Sequence, residues 1–161
     1  MAQGKTNAVR LLDKAGVSYQ LHEYEVEKAP RGELGLEVAH SVGLAPEKVF
    51  KTLVARGASG HCVFVIPVAA QLDMKKAAAA VGEKRVELLP VAEIQKATGY
   101  IRGGCSPLGM KKAYPTVLDT AAQSQPTICI SAGRPGLQLE AVPHDIARLC
   151  AGTFADVIQH V

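Results

Sequence analysis

Two β-rich runs, 48–56 and 61–68, meet at the link Gly57-Ala58-Ser59-Gly60. Two such runs joined by a short, glycine-bounded link predict a β-hairpin. The hairpin places an antiparallel pair near the middle of the chain, since parallel neighbours need a crossover of roughly a dozen residues or more. Whatever else the chain forms must pack against this ribbon.

The flanking segments read as mixed helix and strand. Thr6 or Asn7 can accept the first free N–H groups of a helix over 6–16, and Gly16 ends it. Ala8, Leu11, Leu12 and Ala15 give that helix one apolar stripe. Residues 17–26 alternate, with Val17, Tyr19 and Leu21 against Ser18, Gln20 and His22, as in a half-buried strand. Pro30, Gly32 and Gly35 mark a loop over 27–35, followed by a short helix over 36–42. Residues 73–81 predict a helix capped by Asp73, 86–89 a short strand, and 90–98 a helix with proline in its first turn. Strands are expected over 116–118, 127–131 and 137–142, the last two joined through Gly133-Arg134-Pro135-Gly136, and a final helix over 143–151. No repeat, linker or strict βαβ alternation appears. The expected class is α/β with a curled, mixed sheet in a single domain over 1–161, not a doubly wound fold.

Composition narrows the function. At 161 residues and 48% hydrophobic, the chain can bury a core without disulfides or a structural metal. A net charge of +3 does not mark a dedicated duplex-DNA binder, but it suffices for brief contacts with an RNA backbone. Cys62, Cys105, Cys129 and Cys150 form no C-x-x-C pair, and the histidines add no zinc spacing, so no metal or other cofactor is expected. The polar first residues and the lack of an apolar run of about 20 predict a cytoplasmic protein with free thiols.

Chemistry can sit at few places. Residues 99–109 hold Gly99, Gly103, Gly104 and Gly109, with Pro107 at the exit. Side-chain-free backbone can turn consecutive N–H groups into an anion or oxyanion site, or simply make a tight turn. Lys51 interrupts an apolar strand, sharing a face with Val49, Leu53 and Ala55. It is either a pocket lysine or an edge lysine whose ammonium reaches water. Tyr24 can offer a pocket hydroxyl, and His22 reads as half-packed. Cys105 lacks a basic partner nearby in sequence, so a packed thiol is the better reading than a nucleophile. The other three cysteines read as small core residues. Lys75-Lys76, Lys84-Arg85 and Lys111-Lys112 are solvated pairs that together could touch an RNA backbone.

Five landmarks in order resemble the YbaK/EbsC group of the aminoacyl-tRNA editing superfamily, related to the editing domain inserted in many bacterial prolyl-tRNA synthetases. They are Thr6-Asn-Ala-Val-Arg-Leu-Leu, Val49-Phe-Lys-Thr-Leu, Pro67-Val-Ala-Ala-Gln-Leu-Asp, Thr98-Gly-Tyr-Ile-Arg-Gly-Gly-Cys-Ser-Pro-Leu-Gly and Ser131-Ala-Gly-Arg-Pro-Gly-Leu-Gln-Leu-Glu. The resemblance implies a curled sheet, a partly open barrel surrounded by helices, with a pocket at one side. It implies hydrolysis of a mischarged tRNA, chiefly Cys-tRNA(Pro), in which the cysteinyl thiol attacks its own ester. Under it, Lys51, Gly103 and Gly104 carry the catalysis, the glycines through N–H groups facing the carbonyl. Tyr24, Leu34, Cys105, Ser106, Pro107, Ser131 and Gly133 bind substrate. It also implies a transient complex with prolyl-tRNA synthetase. Two other functions stay open: deacylation of Ala-tRNA(Pro) or another mispair through bound water, and a binding module without turnover.

Overall fold

The computed structural model describes residues 4–25 and 43–160. The expected loop over 27–35, the helix over 36–42 and Leu34 lie outside the described residues. Locally encoded elements form as their caps dictate. Helix α1 (Asn7–Ala15) starts at Thr6, whose hydroxyl accepts from the Val9 N–H, and ends at Gly16 with φ 71°. Strands β2 (Phe50–Gly57) and β3 (Gly60–Pro67) form the predicted antiparallel hairpin, with Gly57 opposite Gly60. Helix α2 (Met74–Ala80) is capped by Asp73, which accepts from the N–H groups of Lys75 and Lys76.

Strand β1 (Gln20–Glu23) is shorter than the alternating run, and its faces are reversed: Leu21 is 46% exposed, while His22 turns inward to Glu140. Pairing with β7 (Leu137–Ala141) sets this register, and alternation within one segment cannot reveal which side the partner buries. Strand β4 (Glu87–Leu88) and helix α3 (Val91–Thr98) follow as expected. Strands β5 (Thr116–Asp119) and β6 (Ile128–Arg134) and helix α4 (Pro143–Leu149) complete the anticipated set. A further strand, β8 (Thr153–Ala155), lies parallel to β5. Its three residues carry too little pattern to be read locally.

The strands make two sheets, β1-β7-β6 and β4-β2-β3-β5-β8. The second is mixed: β2 and β4 pair antiparallel to their neighbours, while β3-β5 and β5-β8 are parallel. A parallel bridge between Val49 and Cys129 joins the sheets, so the assembly curls without closing into a barrel. The main core lies between the sheets under α1 and α4, built on Leu12, Phe50, Leu118, Ile130, Leu139 and Ile146. A second core under α2 holds Phe64, Ile66, Ala77 and Val117. Aliphatic residues dominate both, as the absence of Trp required.

Candidate functional site

The two partners on one side of β2 leave a gap. Leu88 of β4 pairs with Ala55, and Cys129 of β6 bridges to Val49, but no described strand covers β2 between them. The Val54 carbonyl accepts from the Leu89 N–H on this edge. Hydrogen-bonding direction alternates along an antiparallel strand, so the N–H and C=O of Thr52 also point into the gap. A cavity of about 410 Å³ fills it. Because the cavity wraps an open edge, residues from both faces of β2 line it, Lys51 and Leu53 as well as Thr52 and Val54. Leu88, Leu89, Val91 and Ile94 make an apolar wall, and Tyr24, Ser131 and Gln138 close the opposite side.

Lys51 is half-buried, and burial pushes its pKa down from the ordinary lysine value. No described carboxylate is paired with it. Two polar atoms of the lining are buried without a hydrogen-bond partner: Thr52 Oγ1 and Gln138 Oε1. Gln138 is only 5% exposed. It stands on β7 between His22 of β1 and Ser131 of β6. Buried polar atoms are nearly always satisfied, so two orphans in one cavity point to a ligand that satisfies them.

The loop over 99–109 divides in two. Gly103 and Cys105 line the cavity, as does Arg102. Gly104 does not: its N–H donates to the Ile101 carbonyl at 2.9 Å, so it is not free to face a substrate carbonyl. Its lack of a side chain serves close packing instead, since a Cβ there would lie 2.7 Å from Arg134 Cα and 2.8 Å from Pro135 Cδ. Ser106 is fully buried, and its Oγ accepts from the Leu108 N–H. Pro107 is buried beside it, and neither lines the cavity. Gly133 faces the other way, with a Cβ there 3.0 Å from Thr6 Cβ and 3.1 Å from the Tyr100 ring. Of the expected site residues, the fold therefore gathers Tyr24, Lys51, Gly103, Cys105 and Ser131 and separates Gly104, Ser106, Pro107 and Gly133. Thr52, Gln138 and Arg102 were missed. Gln138 carried one signal, a polar residue between Leu137 and Leu139, but a solvated outer face gives the same pattern.

Cys105 is 9% exposed, packed against Val54, Leu89 and Tyr100, and burial pushes its thiol up to about 11. Cys62, Cys129 and Cys150 are pushed up to about 11, 12 and 11 by burial as well. One described grouping offers three metal-type donors, His22, Cys129 and Glu140, within 4.8 Å of one another. Its carboxylate already accepts from His22 Nε2 and Thr127 Oγ1, with Lys48 Nζ at 3.6 Å, so its charge is answered within the protein. These hydrogen bonds hold the Glu140 carboxyl below its ordinary pKa. No described helix is long and apolar enough to cross a membrane.

The aminoacyl-tRNA editing domain model matches residues 35–149. A relative from Enterococcus faecalis (strain ATCC 700802 / V583), provisionally named Cys-tRNA(Pro)/Cys-tRNA(Cys) deacylase EbsC, is 44% identical over 156 residues, covering 96% of this chain and 94% of its own. Among solved structures, a provisionally assigned trans-editing enzyme for prolyl tRNA synthetase superposes with TM-score 0.84 at 24% identity, over 98% of this chain and 100% of that one. The hypothetical protein APE2540 superposes with TM-score 0.83 at 23% identity, over 95% and 99%. These two likenesses concern the fold; the sequence matches concern descent. The chain belongs to the aminoacyl-tRNA editing domain family.

Proposed function

We propose that this chain hydrolyses the ester of mischarged aminoacyl-tRNA, above all Cys-tRNA(Pro), in the cytoplasm. The observation that carries the mechanism is what the cavity lacks. Its described lining contains no His, Asp or Glu beside a Ser, Thr or Cys, so no described carboxylate or imidazole base stands beside a protein nucleophile to activate it. A substrate that brings its own nucleophile removes that need. The cysteinyl sulfur bonds to the ester carbonyl carbon, the bond from that carbon to the ribose oxygen breaks, and the thiol proton ends on the ribose oxygen. Water then opens the resulting thiolactone to free cysteine.

The protein's task is to hold and polarise. Gln138 Oε1 and Thr52 Oγ1 accept from the substrate ammonium. Gly103 and Cys105 present N–H groups to the carbonyl, and the Lys51 ammonium supplies positive charge beside it. Orientation contributes on the order of 7–11 kcal/mol in favourable cases. One well-placed oxyanion donor adds about 3 kcal/mol. So small a chain has little surface with which to read a whole tRNA, which favours a transient complex with prolyl-tRNA synthetase.

The test is a panel of cysteinyl-, seryl- and alanyl-tRNA(Pro), run with and without the synthetase. The cysteinyl ester should be cleaved fastest by a wide margin. Equal rates on the cysteinyl and seryl esters would replace thiol attack by water attack, and no turnover on any ester would leave only a binding module. Cys105→Ala should keep most of the turnover, because a thiol pushed up to about 11 is protonated at neutral pH. A folded Cys105→Ala protein without activity would instead make that thiol the nucleophile.

A further inference from the structure

Helix α3 works on two sides. Val91 and Ile94 face the cavity, while Glu93, Lys96 and Ala97 line a second groove. The far wall of that groove is Lys111, Lys112 and Tyr114, with the β2–β3 turn at its end. The segment is pinned to the helix, for the Lys111 N–H donates to the Thr98 carbonyl at 3.0 Å. All three lysines are exposed, and none has an ion pair among the described residues. The groove's carboxylate, Glu93, is already engaged by Arg56 at 3.3 Å. The other basic pairs differ. Lys76 is tied to Asp156, and Lys84-Arg85 shares its surface with Glu83 and Glu87.

The cavity mouth adds a second observation. Val91 of the lining is 54% exposed, and Ile101, which precedes the lining residue Arg102 in sequence, is 47% exposed. A chain whose end enters the cavity would first cross this apolar rim and then meet the lysines, because α3 is only about 10 Å across. An RNA 3′-end has the matching order of chemistry. Its unstacked terminal bases take apolar contacts, and its backbone carries one negative charge per nucleotide.

We propose that the groove between α3 and 111–115 carries the phosphodiester backbone of the RNA acceptor arm, with Lys96, Lys111 and Lys112 contacting phosphates and the terminal bases resting on Val91 and Ile101. The identity of the RNA rests on the deacylase reading above; its binding does not require turnover.

The experiment measures anisotropy of a labelled, uncharged acceptor-stem hairpin ending in CCA across a salt series. The combined Lys96→Ala, Lys111→Ala and Lys112→Ala variant should bind about 10-fold more weakly or worse at moderate salt, and the log–log salt slope should fall by about 2–3. Lys84→Ala with Arg85→Ala should leave affinity and slope unchanged. Circular dichroism melting checks that both variants fold. A triple variant with wild-type affinity and slope overturns the proposal, as does an equal loss in the Lys84/Arg85 control or no binding by the wild type at low salt. Hydrolysis of cysteinyl-adenosine by the wild type, too short to reach the groove, tests the deacylase reading separately.

Discussion

Lys51→Met should lower kcat/KM on Cys-tRNA(Pro) by about 10²–10³-fold, the loss expected on removing a principal electrostatic stabiliser. The folded protein should be no less stable. Methionine keeps an unbranched stem in the wall that Lys51 shares with Val49, Leu53 and Val68, and it removes an ammonium that burial disfavours. The sign follows from linkage. A lysine whose folded pKa is depressed destabilises the fold below that pKa, and the penalty disappears above its unfolded value. The Lys51→Met gain in melting temperature should therefore be present at neutral pH and shrink as pH rises through the depressed pKa. Enzymatic turnover by the wild type, corrected for spontaneous ester hydrolysis, should decline over the same window, below the usual lysine value of 10.5. A variant that melts lower yet keeps turnover would make Lys51 a structural residue whose position beside the orphaned Thr52 and Gln138 has no chemical meaning.

The strand carrying Lys51 was legible because its signals are local. The glycine-bounded link predicts the hairpin, and a charge in an apolar run marks Lys51 as needing an explanation. The same holds for Thr6, Gly16 and Asp73, whose caps act within four residues. What stayed hidden depends on partners distant in sequence. His22 points inward because β7 pairs with β1 in one register, and Gln138 is buried because that sheet folds over β2. Neither fact is written in 17–26 or 137–142. The gap along β2 arises from β4 and β6 pairing at opposite ends of one strand, a property of topology that places Thr52 in the site without any local mark.

The glycines show the limit most clearly. Gly103 and Gly104 are neighbours of identical chemistry, yet only Gly103 lines the cavity. Gly104→Ala separates packing from donation, because alanine keeps the N–H. Its backbone is not in the left-handed region, so alanine suffers no conformational penalty there. The added methyl would nevertheless lie 2.7 Å from Arg134 Cα and 3.0 Å from Arg134 C, backbone that cannot swing aside as a flexible side chain would. Overpacking of this kind typically costs about 1–3 kcal/mol. In a chain of this length that is roughly 2–12 °C in melting temperature, at about 2–4 °C per kcal/mol. The loop would be lifted from the β6–β7 turn, carrying Gly103 and Cys105 with it, and a displacement of about 1 Å can cost 10²-fold in rate. Thermal melting and single-turnover deacylation should therefore fall together. Unchanged melting with lost turnover would put the added methyl in the path of the substrate and not against Arg134, and unchanged values of both would show that the loop and hairpin are not in register as the fold places them.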